Sequence, residues 1–225
     1  STSGKEIDVY REWSADLSDQ PLAETMLPSV ASSMASTEEG GGIYGLAIKG
    51  NYFGLVYNKA IFDEVGIEVP KTLEELTVAA KKATEITGKP SFAIDSLDNW
   101  GIYGPENFGA NYADPQGNIY ILDDENLPKT RAFYEWWKAG IDGGYFRSAG
   151  EDKYCSGPFG AGDIIFYVGS SSGTNYIFPE GFECEVTQNP VGVTPKVIQQ
   201  GGNFNGFTTG DPIVDLATSI VLEYM

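Results

Sequence analysis

Apolar positions along this chain switch between two periods. Over 52–57, Tyr52-Phe53-Gly54-Leu55-Val56-Tyr57, nearly every position is apolar, the pattern of a strand buried on both faces. A second strand-like run covers 43–48, divided from the first by Lys49-Gly50-Asn51. From Asn58 the period becomes helical: Ala60, Ile61, Phe62 and Val65 share a face, and Gly66 ends it. Thr72 with Glu75 spells a capping box, which opens an amphipathic helix with Leu73, Leu76, Ala80 and Ala83 inward and Gly88 as its stop. A strand at 91–94 follows, so the order strand, helix, helix, strand predicts an α/β protein with a mixed sheet flanked by helices.

Either side of this stretch the signals are shorter. The first residues, with Ile7, Val9 and Trp13, give no clear element, whereas Pro28 can open a helix over 29–34 that Glu38-Glu39-Gly40-Gly41-Gly42 breaks. Asp98-Asn99-Trp100 and 105–108 read as a loop leading into a helix, and 113–118 as a turn before a short strand at 119–122. A longer helix starts near Pro128 and carries Phe133, Trp136, Trp137 and Ile141, with Gly140 as a late interruption; large aromatics at helical spacing supply burial area, so the stripe reads as core. A helix at 151–156, strands at 163–168, 184–186 and 203–208, and a helix from Asp211 complete the pattern, with no internal repeat.

Composition narrows the chemistry. The 225 residues carry 14 Lys plus Arg against 32 Asp plus Glu, a net charge of −18 that repels nucleic acid and anionic lipid. Histidine is absent, which removes His-based acid/base catalysis, Ser-His-Asp and Cys-His nucleophiles and the usual zinc ligands. Cys155 and Cys184 form no CxxC, and both a bridge and two free thiols fit. No run of apolar residues is long enough to span a bilayer, and no basic-then-apolar leader pattern opens the chain. Acidic pairs such as Asp123-Asp124-Glu125 read as solvated surface without EF-hand spacing, so neither a metal nor a cofactor is expected.

Three stretches can touch a ligand. Gly169-Ser170-Ser171-Ser172-Gly173 places hydroxyls between a strand end and a helix start, a site for an anionic or hydroxyl-rich ligand or plain turn and cap chemistry. The Trp100 and Tyr103 stretch offers aromatic faces beside Asp98 and Asn99, the mixture a sugar ring needs, or loop aromatics anchored in the core. Gly201-Gly202-Asn203-Phe204-Asn205-Gly206 suits a hinge or a binding site.

In order, these segments resemble the extracellular solute-binding proteins of family 1, which include the maltose-binding and glycerol-3-phosphate-binding proteins of ABC importers. The most specific match is Leu55-Val56-Tyr57-Asn58-Lys59-Ala60-Ile61-Phe62, Gly66 and Pro70-Lys71-Thr72-Leu73-Glu74-Glu75-Leu76, similar to the family's L-x-YNK-x-x-F…G…P-KTWEEL with Leu73 in place of Trp. Phe159-Gly160-Ala161-Gly162-Asp163-Ile164-Ile165-Phe166 with Ser170-Ser171 is similar to its F-x-x-G-x-x-A-M strand and small-residue loop, and Glu106-Asn107-Phe108 and Gly201-Gly202 look like its glycerol-3-phosphate branch. The likeness covers about 41–224 and implies a periplasmic-binding-protein-like type II lobe with the first lobe largely missing. Residues 1–49 would be a remnant of that lobe and its lead-in, 50–208 the second lobe with both crossover strands, and 209–225 the start of a helix returning to the first.

The resemblance also implies a function: binding with hinge closure rather than catalysis, outside the cytoplasm, periplasmic or lipid-anchored, with delivery to ABC permease subunits in the membrane. By matched position, Asn51, Ser170 and Ser171 would hydrogen-bond solute hydroxyls or phosphate, Trp100 would stack on a ring, and Gly202 and Asn203 would lie on the return crossover. No Arg stands in these segments, which points to a neutral saccharide or glycerol-derived solute. Two other readings stay open: a carboxylate-dependent glycoside hydrolase or lyase, and a non-catalytic structural or adhesion module.

Overall fold

The computed structural model describes residues 4–38, 40–95, 97–114, 118–193, 199–204 and 210–223. In chain order the elements are α1 (Gly4–Tyr10), α2 (Pro21–Thr25), α3 (Pro28–Met34), β1 (Leu46–Asn58), α4 (Lys59–Val65), α5 (Leu73–Thr87), β2 (Phe92–Ile94), α6 (Leu97–Asn107), α7 (Leu127–Asp142), β3 (Phe146–Ser148), α8 (Ser156–Gly160), β4 (Phe166–Ser170), β5 (Cys184–Gln188), β6 (Gln199–Phe204) and α9 (Pro212–Glu223). The chain divides into two compact units, one of Ser1–Asn51, Ala113–Ile119 and Gln200–Met225, the other of Tyr52–Tyr112 and Tyr120–Gln199.

The sheet of the second unit is mixed, in the order β3-β2-β4-β1-β5, with β2 parallel to β3 and β4 and with β1 antiparallel to β4 and β5. Alternation along each strand explains its two cores. Phe53, Leu55 and Tyr57 of β1, Phe92 and Ile94 of β2, and Phe166 and Val168 of β4 face one side, where Phe62, Leu76, Ala80, Trp100, Phe133 and Trp137 cover them. The intervening Val56, Ala93 and Tyr167 face the other side and pack with Cys155, Phe159 and Ile164. Burial of both faces is what the unbroken apolar run over 52–57 requires.

The helical stretch after Asn58, its stop at Gly66 and the Thr72 and Glu75 box form as read. Asn58 caps α4 by accepting the Ile61 N–H at 3.1 Å, and Gly66 ends it at φ 64°. Thr72 and Glu75 close the capping box of α5, whose buried face is Leu73, Leu76, Ala79, Ala80 and Ala83. Among the described residues of the first unit the buried cluster is small, Leu17, Ala23 and Leu46, and β6 pairs with β1.

Several expectations are corrected. The end of the first run, 46–48, and the whole of 52–57 belong to one strand of 13 residues, since Lys49-Gly50-Asn51 continues the strand instead of turning, while Ile43 makes only an isolated bridge with Ala35. The first residues form α1 and a 3₁₀ turn at Arg11–Trp13. The strand expected at 119–122 reduces to a single bridge between Ala113 and Ile119, and the helix expected at 151–156 is a 3₁₀ turn at Gly150–Asp152 followed by α8. Gly140 does not interrupt α7: a Cβ there would lie 1.8 Å from the Phe146 ring, so glycine allows the helix to approach β3. Of the return strand expected at 203–208, Asn203 and Phe204 belong to β6 and 205–208 lie outside the described residues. Both cysteines are free. Cys184 lies opposite Asn58 on β5, whereas the Cys155 N–H is held by Asp95 at the end of β2, three strands away in the sheet order.

Candidate functional site

The polar turn at the end of β4 has the best-defined geometry among the expected stretches. Ser170 is the last residue of β4, paired with Phe53 of β1, and it caps a 3₁₀ turn at Ser171–Tyr176. Its Oγ accepts the Ser172 N–H at 3.4 Å and shares a hydrogen with Ser172 Oγ at 2.9 Å. Ser171 Oγ accepts the Tyr52 N–H at 3.2 Å, and Thr174 Oγ1 donates to the Ser171 carbonyl at 2.7 Å. Cap chemistry therefore engages much of the cluster. The half-buried Ser171 keeps a hydroxyl proton without an acceptor among the described residues.

The floor under this turn is closely packed and chemically quiet. A Cβ at Gly169 would lie 2.7 Å from the Tyr167 ring and 2.9 Å from Asp95 Cβ, so only glycine fits between them. Asp95 accepts the Cys155 N–H at 2.8 Å. Burial, then the Asp95 charge, pushes the Cys155 thiol far up, which removes it as a nucleophile. The same two causes push the buried Tyr167 hydroxyl up. No lysine or arginine occurs in the turn, so its hydroxyls suit an uncharged partner.

The other expected residues divide between the units. Asn51 is half-buried on β1, and Gly202 and Asn203 lie on β6, all within the first unit. Trp100 requires a correction. It lies inside α6, not on a loop, is 1% exposed, and its ring stacks on Phe133 with centroids 6.2 Å apart, so it presents no open face to a solute. Tyr103, one turn further on, packs half-buried against the same core. Aromatic faces are open instead at Tyr176, 69% exposed at the end of the serine turn, and at Tyr52, which precedes Phe53 on β1. Their sequence signal is a tyrosine flanking the strand end and the Ser/Gly cluster.

The sequence profile of the bacterial extracellular solute-binding proteins matches residues 8–218. The chain belongs to that family. Among solved structures it is similar to the GacH receptor of Streptomyces glaucescens, described unliganded and with acarbose, at 20% identity and a TM-score of 0.75 over 99% of this chain and 59% of that one. It is similar to maltose-bound MalE3 of T. maritima at 18% identity and a TM-score of 0.77, over 96% of this chain and 58% of that one. UgpB from Mycobacterium tuberculosis in complex with glycerophosphocholine matches at 17% identity and a TM-score of 0.75, over 96% and 55%. The chain thus spans about three fifths of the length of the solved structures it matches. At these identities the likeness establishes the fold. No curated protein matches the sequence.

Proposed function

We propose that this chain is the solute-binding component of an ABC importer, or the larger part of one. It captures a sugar or glycerol-derived solute between two lobes outside the cytoplasm and delivers it to a membrane permease. Membership of the solute-binding family over residues 8–218 carries the reading. The role is binding, not catalysis, in keeping with a chain that has no histidine and whose buried thiol is silenced. We read the first unit as the remnant of the first lobe and the second unit as the second lobe, with Asn51, Gly202 and Asn203 as contacts from the crossovers. Ser170 and Ser171 supply hydroxyl contacts, and Tyr176 replaces Trp100 as the stacking face. The absence of Arg and Lys from the serine turn favours a neutral solute.

Calorimetry of the full gene product against neutral oligosaccharides and glycerophosphodiesters tests this. One class should bind with roughly micromolar affinity, about −8 kcal/mol. The 225-residue chain alone should bind the same solute far more weakly, because a two-lobe clamp buries its ligand against both faces. Failure of the full product to bind any of them overturns the reading. Equal affinity of the two chains would instead put the whole site within these residues.

A further inference from the structure

Sulfur is the most readily oxidised atom in a protein side chain, and the sulfurs of this chain sit in different surroundings. Of the 3 methionines, Met34 is 5% exposed, Met26 is half-buried and Met225 lies outside the described residues. Cys155 is fully buried with its thiol held protonated. Cys184 is half-buried on β5, opposite Asn58 at the far end of β1. Of the two described methionines, Met26 is therefore the one more open to solvent.

Met26 also makes a contact that oxidation alters. It ends α2, and its side chain packs against the cluster of Leu17, Ala23 and Leu46. Its Sδ accepts the Ala47 N–H at 3.4 Å, across 21 residues. Ala47 is the second residue of β1, the strand that carries the chain from the first unit into the second at Tyr52. A thioether is a weak acceptor and otherwise apolar, so it can hold an N–H and still lie among leucines. A sulfoxide is polar and cannot do both. An N–H···O bond needs about 2.9 Å between nitrogen and oxygen, and with the sulfur itself 3.4 Å from the Ala47 nitrogen no oxygen fits between them. The new oxygen has to push Ala47 away or turn toward Leu17, Ala23 and Leu46, whose side chains offer it no donor.

We infer that Met26 is a site of reversible oxidation that acts as a latch on the start of β1: as the thioether it fastens the strand to the end of α2, and as the sulfoxide it releases it. Hydrogen peroxide is a sufficient oxidant. The sulfur lone pair takes one peroxide oxygen and the O–O bond breaks. The displaced hydroxide accepts the proton of the transferred oxygen and leaves as water, so sulfur gives up the two electrons that the peroxide gains. Methionine sulfoxide reductases return the thioether, which makes the change a switch and not only a lesion. The inference does not depend on which solute the protein captures.

Titration of the chain with hydrogen peroxide, read by peptide mass mapping and amide hydrogen exchange, tests this. One oxygen should appear on Met26 before Met34, and exchange at Ala47 should then rise about tenfold while β2 and β4 keep their protection. Sulfoxide reductases of both stereospecificities should remove the oxygen and restore slow exchange. Met26→Leu takes away the acceptor and the oxidisable atom together, so its Ala47 amide should exchange faster from the outset and show no response to peroxide. Oxidation of Met34 ahead of Met26, unchanged exchange at Ala47 in the oxidised chain, or equal loss of protection in β2 and β4 overturns the inference. So does a reductase treatment that leaves Ala47 fast, or a peroxide response at Ala47 in Met26→Leu.

Discussion

The two units are held together by different means. In the second unit a sheet is buried on both faces, and rings meet rings across it: Phe92 with Phe146 and Phe166, Phe133 with Trp100 and Trp136, Phe159 with Tyr167. Among the described residues of the first unit the buried cluster is Leu17, Ala23 and Leu46, with Ile7, Met34 and Tyr44 buried beside other segments, and polar side chains bridge distant stretches. Asp8 accepts from Ser36 and Thr37, Arg11 reaches Tyr44 and Glu38, and Ser18 joins Asp16 to the Ile43 N–H. Its last helix leaves Ile213, Leu216 and Val221 exposed. Apolar packing in a two-faced sheet is strong and insensitive to charge, whereas tethers near the surface contribute little each and depend on ionisation.

The contrast breaks most sharply at Phe133, which is fully buried and touches Trp100, Phe108, Tyr134 and Trp136. Phe133→Ala should cost about 4 kcal/mol, read by denaturant unfolding; a loss no larger than that of a surface substitution would show that the aromatic cluster does not hold the unit. A smaller effect belongs to the α5 cap. Thr72→Ala removes the acceptor for the Glu75 N–H, 3.1 Å away, and should cost about 1 kcal/mol, with hydrogen exchange rising in the first turn of α5.

The smallest effect should appear in acid and in the first unit alone. Burial works to raise the Asp8 carboxyl, but hydrogen bonds from Ser36 and Thr37 and the Arg11 charge outweigh it and leave the group below its ordinary value. Asp16 is lowered by the Ser18 hydroxyl and N–H. For a carboxyl lowered in the folded state, the stabilisation is present above the ordinary carboxylate range and is lost as pH falls through the folded value. Amide protection near Ser36, Thr37 and Ser18 should therefore fall at low pH before that of β2 and β4. Simultaneous loss in both units would erase the distinction.

The same contrast decides what the sequence could reveal. The second unit was legible where a local rule and the burial pattern agree, as at Asn58, at the Thr72 and Glu75 box, and along the stripe of Phe133 and Trp137. It misled where tertiary packing selects a residue that is locally a breaker. Asp98-Asn99-Trp100 and 105–108 read as a loop leading into a helix, yet α6 runs from Leu97 through Pro105 to Asn107, and a Cβ at Gly104 would lie 2.3 Å from the Phe133 ring. That glycine is a close-packing position, and the packing it permits is what buries Trp100. Gly50 also misled, since β1 runs straight through it. Exposure of Tyr176 was not legible, because nothing in the order of residues says which aromatic of a polar stretch turns outward.

The place of β1 also carries a consequence in time. It lies between β4 and β5 in the sheet, yet Tyr52 meets Ser171 across 119 residues and Tyr57 meets Glu185 across 128. As the chain emerges, its most apolar strand must wait for most of the remaining polypeptide before either neighbour exists. Pairing at such separation makes folding slow and leaves an unpaired apolar strand open to wrong partners meanwhile. In a family whose members act outside the cell, such a strand order keeps the sheet open until most of the chain has been made.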